Sequence, residues 1–313
     1  MLLPTSTSRS VRSGNRRQAS FNREWDIPVQ IVAMTMVYNE GARLRRWLRH
    51  YGAQFGAPNL LVIDHGSNDG STADLGGAGR IPLPRIEYDN NQRSGFINDL
   101  QRSLFRYYDG VLYTDCDELI VADPRRYTGL TDYFERMESD CARPVGLNVF
   151  QSDLSASPLS EQTPISEQRE YCMFTVGMCK PLLIKAPVRW IPGFHACDKR
   201  APISTDLFLF HTKYADFAHA LSRQSVTRAL PWSERSLKGA QGAHQRRSDE
   251  DMVRGQFEAP IARLREEGVR DFIFDDVAEQ FASRLRLAEN KVWHVAEWRG
   301  GFYRIPDWLR GTF

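Results

Sequence analysis

From residue 30 onward the chain runs in apolar blocks whose period changes from block to block. Residues 31–38, IVAMTMVY, are nearly continuous in apolar character, as a strand covered on both faces is. Leu44, Trp47, Leu48, Tyr51 and Phe55 then recur at helical spacing on one face. A second strand, LLVID (60–64), ends at Asp64 and runs into the turn-rich HGSNDGS (65–71). RIEY (85–88) reads as a third strand. Ile97, Leu100, Leu104 and Tyr107 mark a second helix, and VLYT (111–114) is another strand.

Strands that alternate with helices pair in parallel through right-handed crossovers, which predicts an α/β fold with helices on both faces of a mostly parallel sheet. Ligands of such sheets bind beyond the carboxyl ends of the strands. Three polar clusters fall at that place: Asn39–Glu40, Asp64, and Asp115 to Asp117. Their convergence on one site is the first functional expectation.

The second half is less regular. Apolar stretches near 145–150, 171–176, 181–186 and 207–210 predict further strands, some antiparallel, and a helix is expected around 213–228. Residues 231–251 are polar and read as a mobile surface loop, with a lid over the site as the alternative. Helical patterns return near 250–267, interrupted by Pro260, and near 276–290. The last residues, VWHVAEWRGGFYRIPDWLRGTF, carry three tryptophans and are expected to dock on their own domain; contact with a membrane surface is the competing reading.

Composition removes some function classes. Lys and Arg number 41 against 39 Asp and Glu, which argues against gripping nucleic acid through a strongly basic face. No apolar run reaches the roughly 20 residues of a membrane span. Five cysteines without C-x-x-C spacing indicate neither a disulfide framework nor a structural zinc site. Residues 1–28 form an Arg- and Ser-rich segment expected to be a disordered basic tail. Residues 29–228 are expected to form the catalytic unit, and 229–313 a polar loop with a helical and aromatic extension.

The chemistry lies in YTDCDELIV (113–121). Carboxylates at a strand end are costly unless paired or bound to a cation, and their oxygens suit Mg²⁺ or Mn²⁺. TMVYNE, then LLVIDHGSNDGS, then YTDCDELIV together resemble the family 2 glycosyltransferases, with the GT-A nucleotide-diphospho-sugar transferase fold, in the branch whose metal motif reads D-x-D-E. The resemblance covers roughly residues 29–215. His65 departs from it, because many members carry a second acid directly after the strand-end Asp.

The resemblance implies a fold, a donor and a set of roles. Asn39 and Glu40 lie in a loop near the nucleotide, Asp64 accepts from the base (a uracil of a UDP-sugar), and Ser67 and Asp69 shape the turn. Asn91, Arg93 and Asn98 approach the donor, Asp115 reaches ribose or sugar, and Asp117 binds Mn²⁺ or Mg²⁺. A late histidine joins the metal or diphosphate: His211, with His195 as the alternative. The acceptor-side base of an inverting transfer is sought among Asp153, Glu161, Glu167 and Asp198, with Glu167 and Asp198 favoured. Lys180, Lys185 and Lys213 are either diphosphate contacts or surface lysines. The expected activity is metal-dependent transfer of a hexose to a hydroxyl acceptor, a glycan or glycolipid, in polysaccharide or glycoconjugate assembly. The cytoplasm or the inner membrane surface is the expected location. The alternatives are a catalytically silent nucleotide-sugar-binding module and a sugar nucleotidyltransferase; the latter lacks its Gly-rich loop near the first strand.

Overall fold

The computed structural model describes residues 28–239 and 242–313. The expected basic tail lies outside the described residues except for Pro28. Strand β1 (Ile31–Val37) is buried at every position but Met36. It pairs in parallel with β2 (Leu60–Asp64) on one side, with Ala33 opposite Leu60 and Val37 opposite Asp64. The next strand out is β3 (Gly79–Pro82), also parallel. On the other side β1 pairs with β4 (Gly110–Tyr113), Met34 facing Tyr113. The carboxyl ends of β1, β2 and β4 therefore open onto the same edge.

Two corrections to the sequence reading belong here. The third parallel strand is Gly79–Pro82, not 85–88, where only Tyr88 makes an isolated bridge, to Trp232. A strand missed in sequence, β5 (Glu118–Ala122), starts within the acid run itself. Its residues are all buried, so the second apolar block of YTDCDELIV is a strand and not the tail of a turn.

Beyond β4 the sheet continues with mixed polarity. β6 (Cys141–Phe150) pairs antiparallel with β7 (Tyr171–Phe174) and, at its start, with β8 (Leu183–Ile184). β8 joins β4 antiparallel, which fuses the two halves into one sheet. β9 (Ile203–Tyr214) runs parallel to β6 and antiparallel to β5. The antiparallel strands expected in the second half are thus present. Gly146 in β6 has a specific reason: a Cβ there would lie 2.3 Å from the Met178 carbonyl carbon. Its absence lets the turn at Val176–Met178 lie against the strand.

Helix α1 (Gly41–Phe55) buries Leu44, Trp47 and Tyr51, as its spacing predicts. α2 (Asn90–Leu104) is capped by Asp89, whose carboxylate accepts the Asn91 and Gln92 N–H groups. α3 (Leu130–Arg136), α4 (Ile165–Gln168) and α5 (Phe217–Arg228) follow. The chain after 229 forms α6 (Glu234–Lys238), α7 (Asp249–Val253), α8 (Ala259–Glu267) and α9 (Asp275–Arg284). A hairpin of β10 (Leu285–Leu287) with β11 (Trp293–Val295) comes next. Finally β12 (Phe302–Arg304) adds to the free edge of β7. Phe313 stacks on Phe210 with centroids 3.8 Å apart, and Trp308 packs on Phe208 at 6.0 Å, so these tail aromatics lie against the domain's own strands. No described helix is long and apolar enough to cross a membrane.

Candidate active site

A cleft of about 730 Å³ opens where β1, β4 and β9 end. Its acids are Glu40, Asp115, Asp117, Glu118 and Glu297; its cations are Arg43, Arg85, Arg93, Lys180, Lys213, Arg223 and Arg247. His65, His195, His211 and His244 also line it. Fixed cations outnumber the acids, which suits an anionic ligand.

Helix α1 fixes the acid run from below. Trp47 Nε1 donates to Thr114 Oγ1 at 2.7 Å. The Tyr51 hydroxyl donates to the Glu118 carbonyl and accepts the Ile120 N–H, each at 3.0 Å. The turn closes on itself through Glu118 N–H to the Asp115 carbonyl at 2.9 Å. The Asp117 carbonyl accepts from Thr212 N–H at 2.8 Å, tying the run to β9.

The three carboxylates then meet different fates. Asp115 contacts the Arg93 guanidinium and lies 3.5 Å from Lys180 Nζ. Burial alone would raise its pKa, but these two cations outweigh burial and hold it well below the usual carboxylate range. Glu118 is buried, with Lys180 Nζ 2.5 Å from its Oε1. Burial pushes Glu118 up against the pull of Lys180. Burial also works against the Lys180 ammonium, yet Glu118 and Asp115 together carry its pKa upward. Glu118 is therefore a buried ion-pair partner and not a solvated acid. Asp117 is the least committed: Arg43 Nη1 stands 3.4 Å away and His211 Nε2 3.8 Å away, both from Oδ2.

The His211 ring is oriented from behind. Its Nδ1 lies 2.6 Å from Asn148 Oδ1, and because an amide oxygen only accepts, Nδ1 carries the proton. Nε2 is then a lone-pair donor facing Asp117. Burial, against the attraction of Asp117, lowers the His211 pKa to about 4, so the ring is neutral at pH 7. Ligand atoms of Asp117, Glu118 and His211 all lie within 4.8 Å of one another. Two carboxylates and a neutral imidazole held by a second side chain fit a divalent cation that completes its coordination with phosphate oxygens and water. Glu118 is the weakest of the three because Lys180 already occupies it.

Other expected residues are placed differently. Glu40, Arg93 and His195 line the cleft, Glu40 bonded to Arg223 at 2.5 Å. His195 turns Nδ1 to the Gly177 carbonyl at 2.6 Å, and it is His211 that approaches Asp117. Asn39, with φ 52°, shapes the loop after β1 by exchanging two hydrogen bonds with Asn68. Asp64 is 1% exposed and fully engaged: Ser67 N–H, Thr72 Oγ1 and the Arg80 guanidinium all donate to it. It does not reach the cleft lining, which His65 and Arg85 occupy at that end. Asn91 stands at the start of α2, and Asn98 clamps the backbone of Trp190 through two 2.9 Å bonds. Neither favoured base lies on the cleft. Glu167 is exposed on α4, and Asp198 accepts the Arg189 N–H at 2.7 Å. Lys180 and Lys213 line the cleft, whereas Lys185 donates to the backbone behind α3.

One feature was only the alternative reading in the sequence, and another escaped it. The polar stretch 231–251 is not a plain surface excursion, since Gly242, His244, Gln245 and Arg247 line the cleft. It is fastened by Trp232 against Tyr88, centroids 4.7 Å apart, and by Gln224 Nε2 to the His244 and Arg247 carbonyls. The excess of small and basic residues there was the available signal. Asn148 was missed because one polar residue in an apolar strand carries no motif.

No family model matches the chain, and no curated protein matches it. Among solved structures it is similar to the mannosyltransferase PcManGT from Pyrobaculum calidifontis in complex with GDP-Man and Mn²⁺, at 14% identity and TM-score 0.34, over 79% of this chain and 83% of that one. It is also similar to the apo WbbM bifunctional glycosyltransferase, at 12% identity and TM-score 0.24, over 64% of this chain. The match spans 35% of the length of WbbM.

Proposed function

We propose that the chain is a metal-dependent glycosyltransferase that moves a hexose from a nucleoside-diphosphate sugar, UDP-linked on the sequence reading, to a hydroxyl acceptor with inversion. The observation that carries this reading is the meeting of Asp117 with the lone pair of His211 in a cationic cleft at the strand ends. A bound divalent ion would supply Lewis-acid stabilisation of charge on the leaving diphosphate. Asp117 and His211 would hold it, with Glu118 beside them.

The chain's own groups do the rest. Lys213 and Arg247 face the same space and supply positive charge for the diphosphate. Arg93 and Lys180 fix the Asp115 carboxylate, leaving it ionised to accept from a sugar or ribose hydroxyl. His65 and Arg85, the latter stacked on Tyr38 at 3.8 Å, form the end of the cleft open to a base. The segment carrying His244 and Arg247 forms part of the cleft wall. The acceptor is a glycan or glycolipid hydroxyl, and the cytoplasmic face of a membrane is the setting that goes with it.

A thermal-shift panel of nucleotide sugars with and without Mn²⁺ tests the assignment, because a ligand of the native state raises its melting temperature. The reading expects one nucleotide family to stabilise the protein, and to do so with Mn²⁺ only. Stabilisation by nucleotides with no turnover would favour a silent binding module.

A further inference from the structure

The sequence left the proton acceptor of the reaction among acids that the fold places off the cleft. The geometry points to Glu297 as the catalytic base, an assignment that rests on the transferase reading above. Five carboxylates line the cleft, and four of them already hold a cation. Glu40 holds Arg223, Asp115 holds Arg93, Asp117 faces Arg43, and Glu118 holds Lys180. Among the described residues no cation stands within salt-bridge distance of Glu297. An acid neutralised by a guanidinium is a poor proton acceptor; an unpaired one on the cleft wall is available.

Its position is built by the chain on both sides. The Trp293 N–H donates to the Cys197 carbonyl at 2.9 Å. The Trp298 ring packs on Phe174 at 5.4 Å, and Gly300 lies so close to β7 that a Cβ would meet the Phe174 carbonyl oxygen. Between these anchors, Glu297 Oε1 lies 3.3 Å from where a Cβ at Gly177 would sit. The missing side chain at Gly177 leaves room for the carboxylate. The same turn is bonded to the metal side of the cleft, since Thr175 Oγ1 accepts from Asn148 Nδ2 at 2.8 Å and Asn148 orients His211. Glu297 thus stands on the cleft wall at the turn carrying Gly177, whose start is bonded through Thr175 to the Asn148 that orients His211.

In the step itself the acceptor oxygen forms a bond to the anomeric carbon. The carbon–oxygen bond to the diphosphate breaks, and its electron pair leaves with the diphosphate. The hydroxyl proton passes to the Glu297 carboxylate. With water as acceptor the same step is donor hydrolysis, which provides an assay without a known acceptor.

Wild type, Glu297→Gln and Glu297→Asp are compared with UDP-glucose, UDP-galactose and GDP-mannose in Mn²⁺, reading nucleoside diphosphate release and donor-induced thermal shift. Glu297→Gln is expected to keep the wild-type shift and lose about 10²–10⁴-fold in kcat, with KM for the donor unchanged. Glu297→Asp should retain a measurable part of the rate. The acid limb of the wild-type pH–rate profile should vanish in Glu297→Gln. Turnover of Glu297→Gln within threefold of wild type, with the same pH profile, overturns the assignment. Failure of every donor to shift or be hydrolysed by wild type overturns the transferase reading and this assignment with it, an outcome distinct from the first.

Discussion

His211 stands directly opposite Glu118 in the antiparallel ladder between β5 and β9. That register brings a histidine from late in the chain to the acid run and aims its free nitrogen at Asp117. The metal site proposed here is therefore a product of strand pairing as much as of the D-x-D-E motif. Its parts make separable predictions.

Asp117→Ala removes the carboxylate that faces the free nitrogen of His211. Mn²⁺ affinity, read by calorimetry or electron paramagnetic resonance, should fall by at least about 100-fold. The fold should survive, because Arg43 keeps Glu40 as a partner at 3.5 Å.

Asn148→Ala leaves the ligands in place and removes what orients one of them. The His211 ring loses its 2.6 Å partner and its fixed tautomer. Mn²⁺ binding should weaken by about 10-fold, in the range expected for groups that support a metal ligand. Unchanged affinity would show that the Asn148 contact does not set the metal-binding geometry of His211.

Lys180→Met strands Glu118 in the interior. Breaking a buried pair on one side costs roughly 3–5 kcal/mol in urea unfolding. Burial already raises the Glu118 pKa above its unfolded value against the pull of Lys180, so once Lys180 is gone the neutral form is the stable one inside. Stability tied to that group is present at low pH and lost as pH rises through the folded pKa. The variant should thus be closer to wild type at pH 5 than at pH 8.

His50 sets a second pH dependence with the opposite sign. Burial lowers its pKa to about 4, and its Nε2 lies 2.8 Å from the Ile120 carbonyl. The unfolded chain, with an imidazole pKa of about 6.5, binds a proton that the folded chain refuses. Stability should be full above about pH 6.5 and fall as pH drops toward 4, by up to about 1.4 kcal/mol per pH unit for this group. His50→Gln should flatten that slope in a series of denaturant midpoints.

How much of this was legible in the sequence depended on whether the signal was local. The period of Leu44, Trp47 and Tyr51 gave α1, and the unbroken apolar run 31–37 gave an inner strand, because burial on both faces leaves a mark on every residue. The third strand was misplaced, since Gly79–Pro82 is mostly exposed and carries no apolar block. Strand β5 was hidden because its first residue is a charged one, stabilised by Lys180 from 62 positions away. Asp64 looked exposed for binding at a strand end, but the partners that occupy it, Thr72 and Arg80, reach it only through the turn. Asn148 and Glu297 depend on long-range contacts and have no local pattern at all.

The central claim is that Asp117 and His211 hold a cation for glycosyl transfer. Its most direct test is nucleoside diphosphate release from a nucleotide sugar, measured for wild type and Asp117→Ala across a Mn²⁺ titration. The account predicts release by wild type that saturates with Mn²⁺, is abolished by chelator, and is at least about 100-fold lower in Asp117→Ala. Equal rates in both proteins, unaffected by chelator, would contradict it.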